Sequence, residues 1–398
     1  MVIRRKVHEG ISLLNDHIRR AKLRPYILSG LSTRHYSTPY KHTFIGYYDV
    51  QPENFNASKI LVTSTDHDGV LVGEPSAEVG VITRESGEYK KIATTRAWCW
   101  QQGCRAQWVT DDNIIINNYS GGRHISQIIN SSTCVVEHQN STPIYDIHLG
   151  KSKVLSLNFA LLHKMRPGYG YSTCRDHVRE VDSSRDGIFL GDLEGDNAEL
   201  LLSIKEIANW KATPTMAHAE HYVNHLKFAP SGTWFIFYHF WIANGVRYAR
   251  CLRSSLSGKI SDVTLVSDTM SHYSFLADDR LLIFCDAVGP GYYLSDASMS
   301  EFRRVFRGLR HDGHPTMISE NSLITDTYPS RYLKEQSLIF ATADGVSTIA
   351  KVFSPSQYRG EFRCDLHPRI SRDGKSIYID TPGASGRNVV EVLLEQGI

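Results

Sequence analysis

The chain has 398 residues, 41% hydrophobic and 22% charged, with a formal net charge of +2. This is a globular composition, and its near-neutral balance gives no ground for expecting a nucleic acid or an anionic membrane as partner. Seven cysteines with no CxxC pair point to a reducing compartment, and no run approaches the roughly 18 apolar residues of a membrane span. The opening "MVIRRKVHEG" has basic residues but lacks the apolar core and cleavage site of a signal peptide. A cytoplasmic location without a membrane span is therefore expected.

In chain order, residues 1–35 read as an N-terminal extension, a short helix over "EGISLLNDHIRRAKL" followed by a linker. From residue 36 to 398 one pattern returns seven times. "YYDVQPEN", "RAQWVTDD", "IYDIHLGK", "NHLKFAPSG", "SHYSFLADD", "GHPTMISEN" and "LHPRISRDG" each place an apolar residue three positions after a fixed slot and a turn residue four further on. The slots are Tyr47, Arg105, Ile144, His225, His272, His314 and His367. A β-rich run follows each turn: "KILVTST", "NIIINNY", "KVLSLNF", "WFIFYHF", "RLLIFCD", "SLITDTY" and "SIYIDTP". Short strands at fixed offsets with a period of about 40 to 50 residues are the mark of a β-propeller. The expectation is an all-β, seven-bladed β-propeller with a short N-terminal helical extension.

The interval between Ile144 and His225 is about twice that period and holds "HKMRPGYGYSTCRDHVREVDSSRDG". Long loops in compact domains are usually binding loops or lids, or else disordered, and this one, rich in Arg, Gly and Tyr, is expected to be ordered and functional.

In a propeller, the first strand of each blade lines the central channel. A slot at the head of that strand is therefore expected at one mouth, where the second strand also ends. This gathers Tyr47, Arg105, His225, His272, His314 and His367 into a polar ring, with His239, Asp286, Arg123 and Tyr328 near its edge. Histidines on adjacent blades suit a divalent metal such as Zn, Mn or Ca, or proton transfer near neutral pH. Arg105, Arg123 and Arg166 suit a carboxylate-bearing ligand. Gln101 and Gln102, just before Arg105, are candidates to hydrogen-bond that ligand.

Other features are weaker. "HAEHYVNH" is not the HExxH of zinc peptidases, and His218 and His221 read as loop residues. No nucleophile elbow, P-loop or dinucleotide fingerprint occurs. Trp98 and Trp100 could stack on a sugar or pack in the core.

A strand-head histidine on successive blades, the "PGYGY" loop and a mouth lined by Tyr and Arg resemble the β-propeller polysaccharide lyases, typified by oligogalacturonate lyase and the ulvan lyases. The resemblance spans about residue 40 to 398. It implies β-elimination on a uronate-containing oligo- or polysaccharide, with His225 as base. His272 and His314 would be metal ligands, and Arg166 and Tyr171 would meet the substrate. Tyr171 or His239 would serve as acid. Tyr47, Tyr328, Gln102, Arg105 and Arg123 would line the binding site. The family's closely spaced His-x-His and Gln cluster is missing after the sixth blade, so His367 takes the remaining ligand position. A glycoside hydrolase needs two facing carboxylates, whereas the mouth offers Asp286. The competing expectation is a non-catalytic carbohydrate- or protein-binding propeller, since the fold alone carries no activity.

Overall fold

The computed structural model describes residues 26–27, 31–173, 182–263, 270–296, 298–383 and 385–394. The helix expected over residues 9–23 lies outside them. The described strands form seven antiparallel sheets, one per predicted repeat. The innermost strands are His42–Phe44, Gln107–Trp108, Asp146–His148, Glu220–Phe228, Tyr273–Phe275, Thr316–Ser319 and Arg369–Ile370. The β-rich runs form the second strands, among them Lys59–Thr65, Asn113–Ser120, Trp234–Ala243 and Ser376–Pro382. Most are buried on both faces, as "KILVTST" and "SIYIDTP" show along their length, because adjacent blades pack face to face. Among the described residues no helix is long and apolar enough to cross a membrane.

The strand Ser32–Tyr36 pairs antiparallel with Arg387–Leu393 and completes the seventh blade, so residues 32–35, expected in the N-terminal extension, belong to the propeller. Tyr26–Ile27 pairs with the outer strand of the sixth. Residues from both chain ends thus share one sheet, which covers an edge that would otherwise lie open. The seam is polar but satisfied. Glu391, fully buried, accepts from the Tyr36 hydroxyl and the Ser376 hydroxyl, each at 2.7 Å, and from Arg84 Nε at 3.0 Å.

The slot residues do not simply begin their strands. In the fourth blade the innermost strand starts at Glu220, and His225 sits inside it at a bulge with φ +53°. Arg105 and His367 also have positive φ, at +55° and +46°. A left-handed residue interrupts the in–out alternation of a strand and re-aims the side chain. In the third blade the predicted slot is displaced by one. Ile144 belongs to an apolar cluster with Ile115, Ile128 and Val154. Its neighbour Tyr145 reaches Asn224 of the fourth blade, its hydroxyl donating to Oδ1 at 3.0 Å. One residue of slip exchanges the two faces of a strand.

Candidate functional site

The four histidines meet at the centre. The ring of Tyr47 stacks on His225 at 5.4 Å and lies 4.9, 5.9 and 6.4 Å from His367, His314 and His272. Beside this cluster opens a cavity of about 350 Å³, whose wall includes Arg166, Tyr169, His225, Arg247, His272 and Tyr328. Its floor is closed by Tyr48 and Tyr273. The Tyr48 hydroxyl donates to the Tyr273 carbonyl at 2.9 Å and accepts from its N–H at 3.0 Å.

Asp312 gives His272 a defined tautomer. The carboxylate accepts from His272 Nδ1–H at 3.0 Å and from the Ser271 hydroxyl at 2.7 Å. In the neutral imidazole this hydrogen bond places the proton on Nδ1 and leaves the Nε2 lone pair free. Among the described residues His225 has no carboxylate hydrogen-bond partner, and it accepts from Asn224 Nδ2 at 3.3 Å. Burial, then the neighbouring His272 and Arg166, push its pKa well below the ordinary histidine value, so it is neutral.

The long loop explains Arg166 and Tyr169. Asn158 caps the helix Phe159–Met165, accepting from the N–H groups of Ala160 and Leu161 at 3.0 Å, and Arg166 ends that helix. Gly170 then lies against the helix backbone, where a Cβ would come within 2.2 Å of His163 N and Phe159 O. Only glycine allows this approach. It sends the two tyrosines of "PGYGY" to different places. Tyr169 reaches the cavity, 5.9 Å from His225 and under the Arg166 guanidinium at 5.0 Å. Tyr171 is fully buried, stacked on Phe159 at 4.2 Å, with its hydroxyl accepting from Asn117 at 2.7 Å. It is an anchor rather than a substrate contact.

Close by, His314, Asp365 and His367 present ligand atoms within 4.8 Å of one another, all three side chains buried. His314 Nδ1–H donates to Asp326 at 2.8 Å, and His367 Nδ1–H donates to the Gly46 carbonyl at 2.7 Å. Both Nε2 atoms are buried without a hydrogen-bond partner among the described residues. Outer hydrogen bonds on Nδ1 with Nε2 left over are what a histidine-bound metal requires, and a carboxylate completes a donor set suited to a divalent ion. The residues present therefore fit a metal. His272, whose Nδ1 bonds Asp312, is not among the three residues whose ligand atoms lie this close together. Asp365 stands where His272 was expected, and its carboxylate also accepts from Arg363 Nε at 2.7 and 2.8 Å.

Other expected residues lie elsewhere. Arg105 is fully buried and bidentate on Asp49 at 2.8 and 2.9 Å, with Nε donating to the Tyr145 carbonyl at 2.7 Å. Gln102 is buried and donates to the Tyr145 hydroxyl at 3.0 Å. His239 faces away from the cavity, because Tyr238 and Phe240 on either side of it line the wall. It accepts from Arg250 Nε at 3.1 Å and donates to His221 at 2.9 Å, and His221 lies in the strand Glu220–Phe228 rather than in a loop. Arg123 is exposed at the start of the hairpin strand Arg123–Asn130 and does not line the cavity. Trp98 and Trp100 are core residues, their indole N–H groups donating to the Pro75 and Gly69 carbonyls at 2.7 Å. The site residues missed from sequence are Tyr169, Arg247, Asp312 and Asp365. Asp312 and Asp365 each stand two residues before a slot histidine, a recurrence that was visible.

The anchor of the long loop has a pH consequence. His124 pairs through Nε2 with the Thr173 hydroxyl at 2.7 Å and packs on Tyr171. Burial pushes its pKa down to about 4. The unfolded chain takes up this proton near pH 6.5 and the folded one near 4, so stability is full above 6.5 and falls as pH drops between the two values. Urea unfolding at pH 7 and pH 5 should show His124→Gln losing about 2 kcal/mol less than the parent on acidification. An unchanged difference between the two pH values would refute this assignment.

No family model and no curated protein matches the chain. Among solved structures, an oligogalacturonate lyase from Vibrio parahaemolyticus superposes with a TM-score of 0.61 at 9% identity, over 93% of this chain and 98% of that one. An oligogalacturonate lyase in complex with manganese gives a TM-score of 0.61 at 11% identity, over 92% of this chain and 97% of that one. The polypeptide thus has the propeller fold seen in the oligogalacturonate lyases, with seven blades closed by its own N-terminal strand.

Proposed function

We propose that the protein is a lyase that cleaves an acidic, uronate-containing oligosaccharide by β-elimination. The observation that carries this reading is the Asp312-held His272 on the wall of a cavity that also presents two guanidinium groups, Arg166 and Arg247. Asp312 is the one carboxylate on that wall among the described residues, and it is already engaged. Hydrolysis by a carboxylate pair is thereby disfavoured, while an anionic substrate is favoured.

In this reading His272 Nε2 takes the C5 proton, rather than His225 as the resemblance implied. The C–H electrons form the C4–C5 double bond and the C4–O bond breaks. Arg166 pairs with the uronate carboxylate, where negative charge grows. The departing oxygen takes a proton from the Tyr169 hydroxyl, in place of Tyr171 or His239. Neutral His225 and Tyr328 bound the sugar. A divalent ion held by His314, Asp365 and His367 would supply further positive charge beside the site. The free thiols of all six described cysteines fit the cytoplasmic setting.

The test is ultraviolet detection of unsaturated uronate on a panel of acidic oligosaccharides, run beside metal analysis. Product is expected from at least one homouronate oligomer, and no product across the panel would favour the non-catalytic binder. Metal analysis should find about one divalent ion per chain, lost in His367→Ala with the circular dichroism spectrum unchanged. Absence of metal in the parent protein would remove the ligand assignment without touching the dyad.

A further inference from the structure

Tyr48 and Tyr273 separate the cavity just described from a second chamber of about 230 Å³ in the channel. Its wall includes Asp49, Lys227, Tyr273, Thr316 and Arg369. None of the proposed chemistry uses it, and its hydrogen bonding does not balance.

The acceptors are committed. Both Asp49 oxygens are taken by Arg105 at 2.8 and 2.9 Å. Asp380 accepts from the N–H groups of Ile45 and Gly46 at 2.8 and 3.3 Å and from Arg369 Nη2 at 3.2 Å. Asp146 accepts from the Phe228 N–H at 2.8 Å and from Lys227 Nζ at 2.7 Å. The Thr316 hydroxyl donates to the Pro368 carbonyl at 2.8 Å.

Donors remain. Arg369 is 2% exposed; its Nε and Nη2 bond the Tyr47 and Gly46 carbonyls, yet Nη1 is buried with no partner among the described residues. The Tyr273 hydroxyl is likewise buried without one. Lys227 Nζ donates to Asp146 and, at 3.2 Å, to the Asp49 carbonyl. Its third proton has only an Asp49 oxygen at 3.7 Å, beyond hydrogen-bond length. Leaving buried donors unmatched is costly, and an acceptor-rich guest relieves that cost.

We infer that this chamber is an anion-binding site, separate from the substrate cavity, that takes one small monoanion, a halide or a short carboxylate. The limit to a single charge follows from the wall. Arg105, Lys227 and Arg369 are matched by Asp49, Asp146 and Asp380, so the wall has no spare positive charge; the guest is held by the unmatched donors, and a second negative charge would add repulsion from three carboxylates without a further donor. The inference does not rest on the lyase reading.

Chloride NMR line broadening by the full-length protein tests it. Saturable broadening is expected, weakened about tenfold in Lys227→Met by loss of a charge-assisted donor and unchanged in Arg166→Met. Lys227→Met leaves the buried Asp146 carboxylate without its cation, so Tyr273→Phe, which removes a hydroxyl unpartnered among the described residues and leaves no charge unpaired, is the second variant and should also weaken the broadening. Displacement of chloride by formate would identify the guest as a carboxylate, and resistance to formate would identify a halide. Broadening that is not saturable, or that survives Lys227→Met and vanishes in Arg166→Met, would overturn the proposal. The second pattern would assign the anion to the substrate cavity instead.

Discussion

His272→Ala is expected to lower kcat on a uronate oligosaccharide by about 10²- to 10⁴-fold, the usual worth of a positioned general base. Thermal stability and metal content should stay near those of the parent. The reason is geometric. His272 has a carboxylate fixing one nitrogen and a cavity beside the ring, whereas His225 is neutral and has no acid behind it. Asp312→Asn should reproduce most of the loss, because an amide facing Nδ1 no longer favours the tautomer with its proton there. It should also alter the pH profile of kcat/KM, which a purely structural role would not do. His225→Ala should cost less in kcat and more in KM. Should His225→Ala abolish turnover while His272→Ala spares it, the two roles would have to be exchanged.

The second large effect concerns Arg105, the slot residue that sequence offered as a substrate binder. Burial opposes ionisation of Asp49, yet the charges of Arg105 and Lys227 hold its carboxyl far below the ordinary range. The pair is wholly desolvated, with side chains 0% and 4% exposed. Arg105→Met leaves the Asp49 charge with Lys227 alone, and removing one partner of a buried pair costs about 3–5 kcal/mol. Urea unfolding should therefore show a large drop in midpoint with little change in slope. The double variant Arg105→Met/Asp49→Leu should recover much of it, since a buried pair replaced by apolar groups is often nearly neutral. KM of whatever variant protein remains folded should be close to the parent value. A raised KM with undiminished stability would restore Arg105 to the binding site.

Much of the molecule was legible before any coordinates. The repeat of an apolar residue, a turn and a β-rich run gave seven blades, because turn chemistry and strand alternation are local properties. The common phase of His225, His272, His314 and His367 gave their convergence, because equivalent positions of a repeat occupy equivalent places around an axis. The "PGYGY" loop stood out by length and composition, and Tyr169 from it reaches the cavity wall.

What the sequence could not decide was which partner each polar side chain would take. Arg105 and Asp49 are separated by 56 positions, and nothing along the chain says that the guanidinium turns to a carboxylate on the preceding blade rather than to a ligand. Tyr169 and Tyr171 are chemically alike, and only the contact of Gly170 with a helix backbone sends one to the cavity and the other to the core. His239 and Tyr238 differ by one step of a strand whose outward face became legible only when its neighbours were in place. Secondary structure and repeat phase follow from interactions a few residues long. Ion pairs, tautomers and the contents of a channel depend on groups that meet only when the blades close, and that was settled by the tertiary structure.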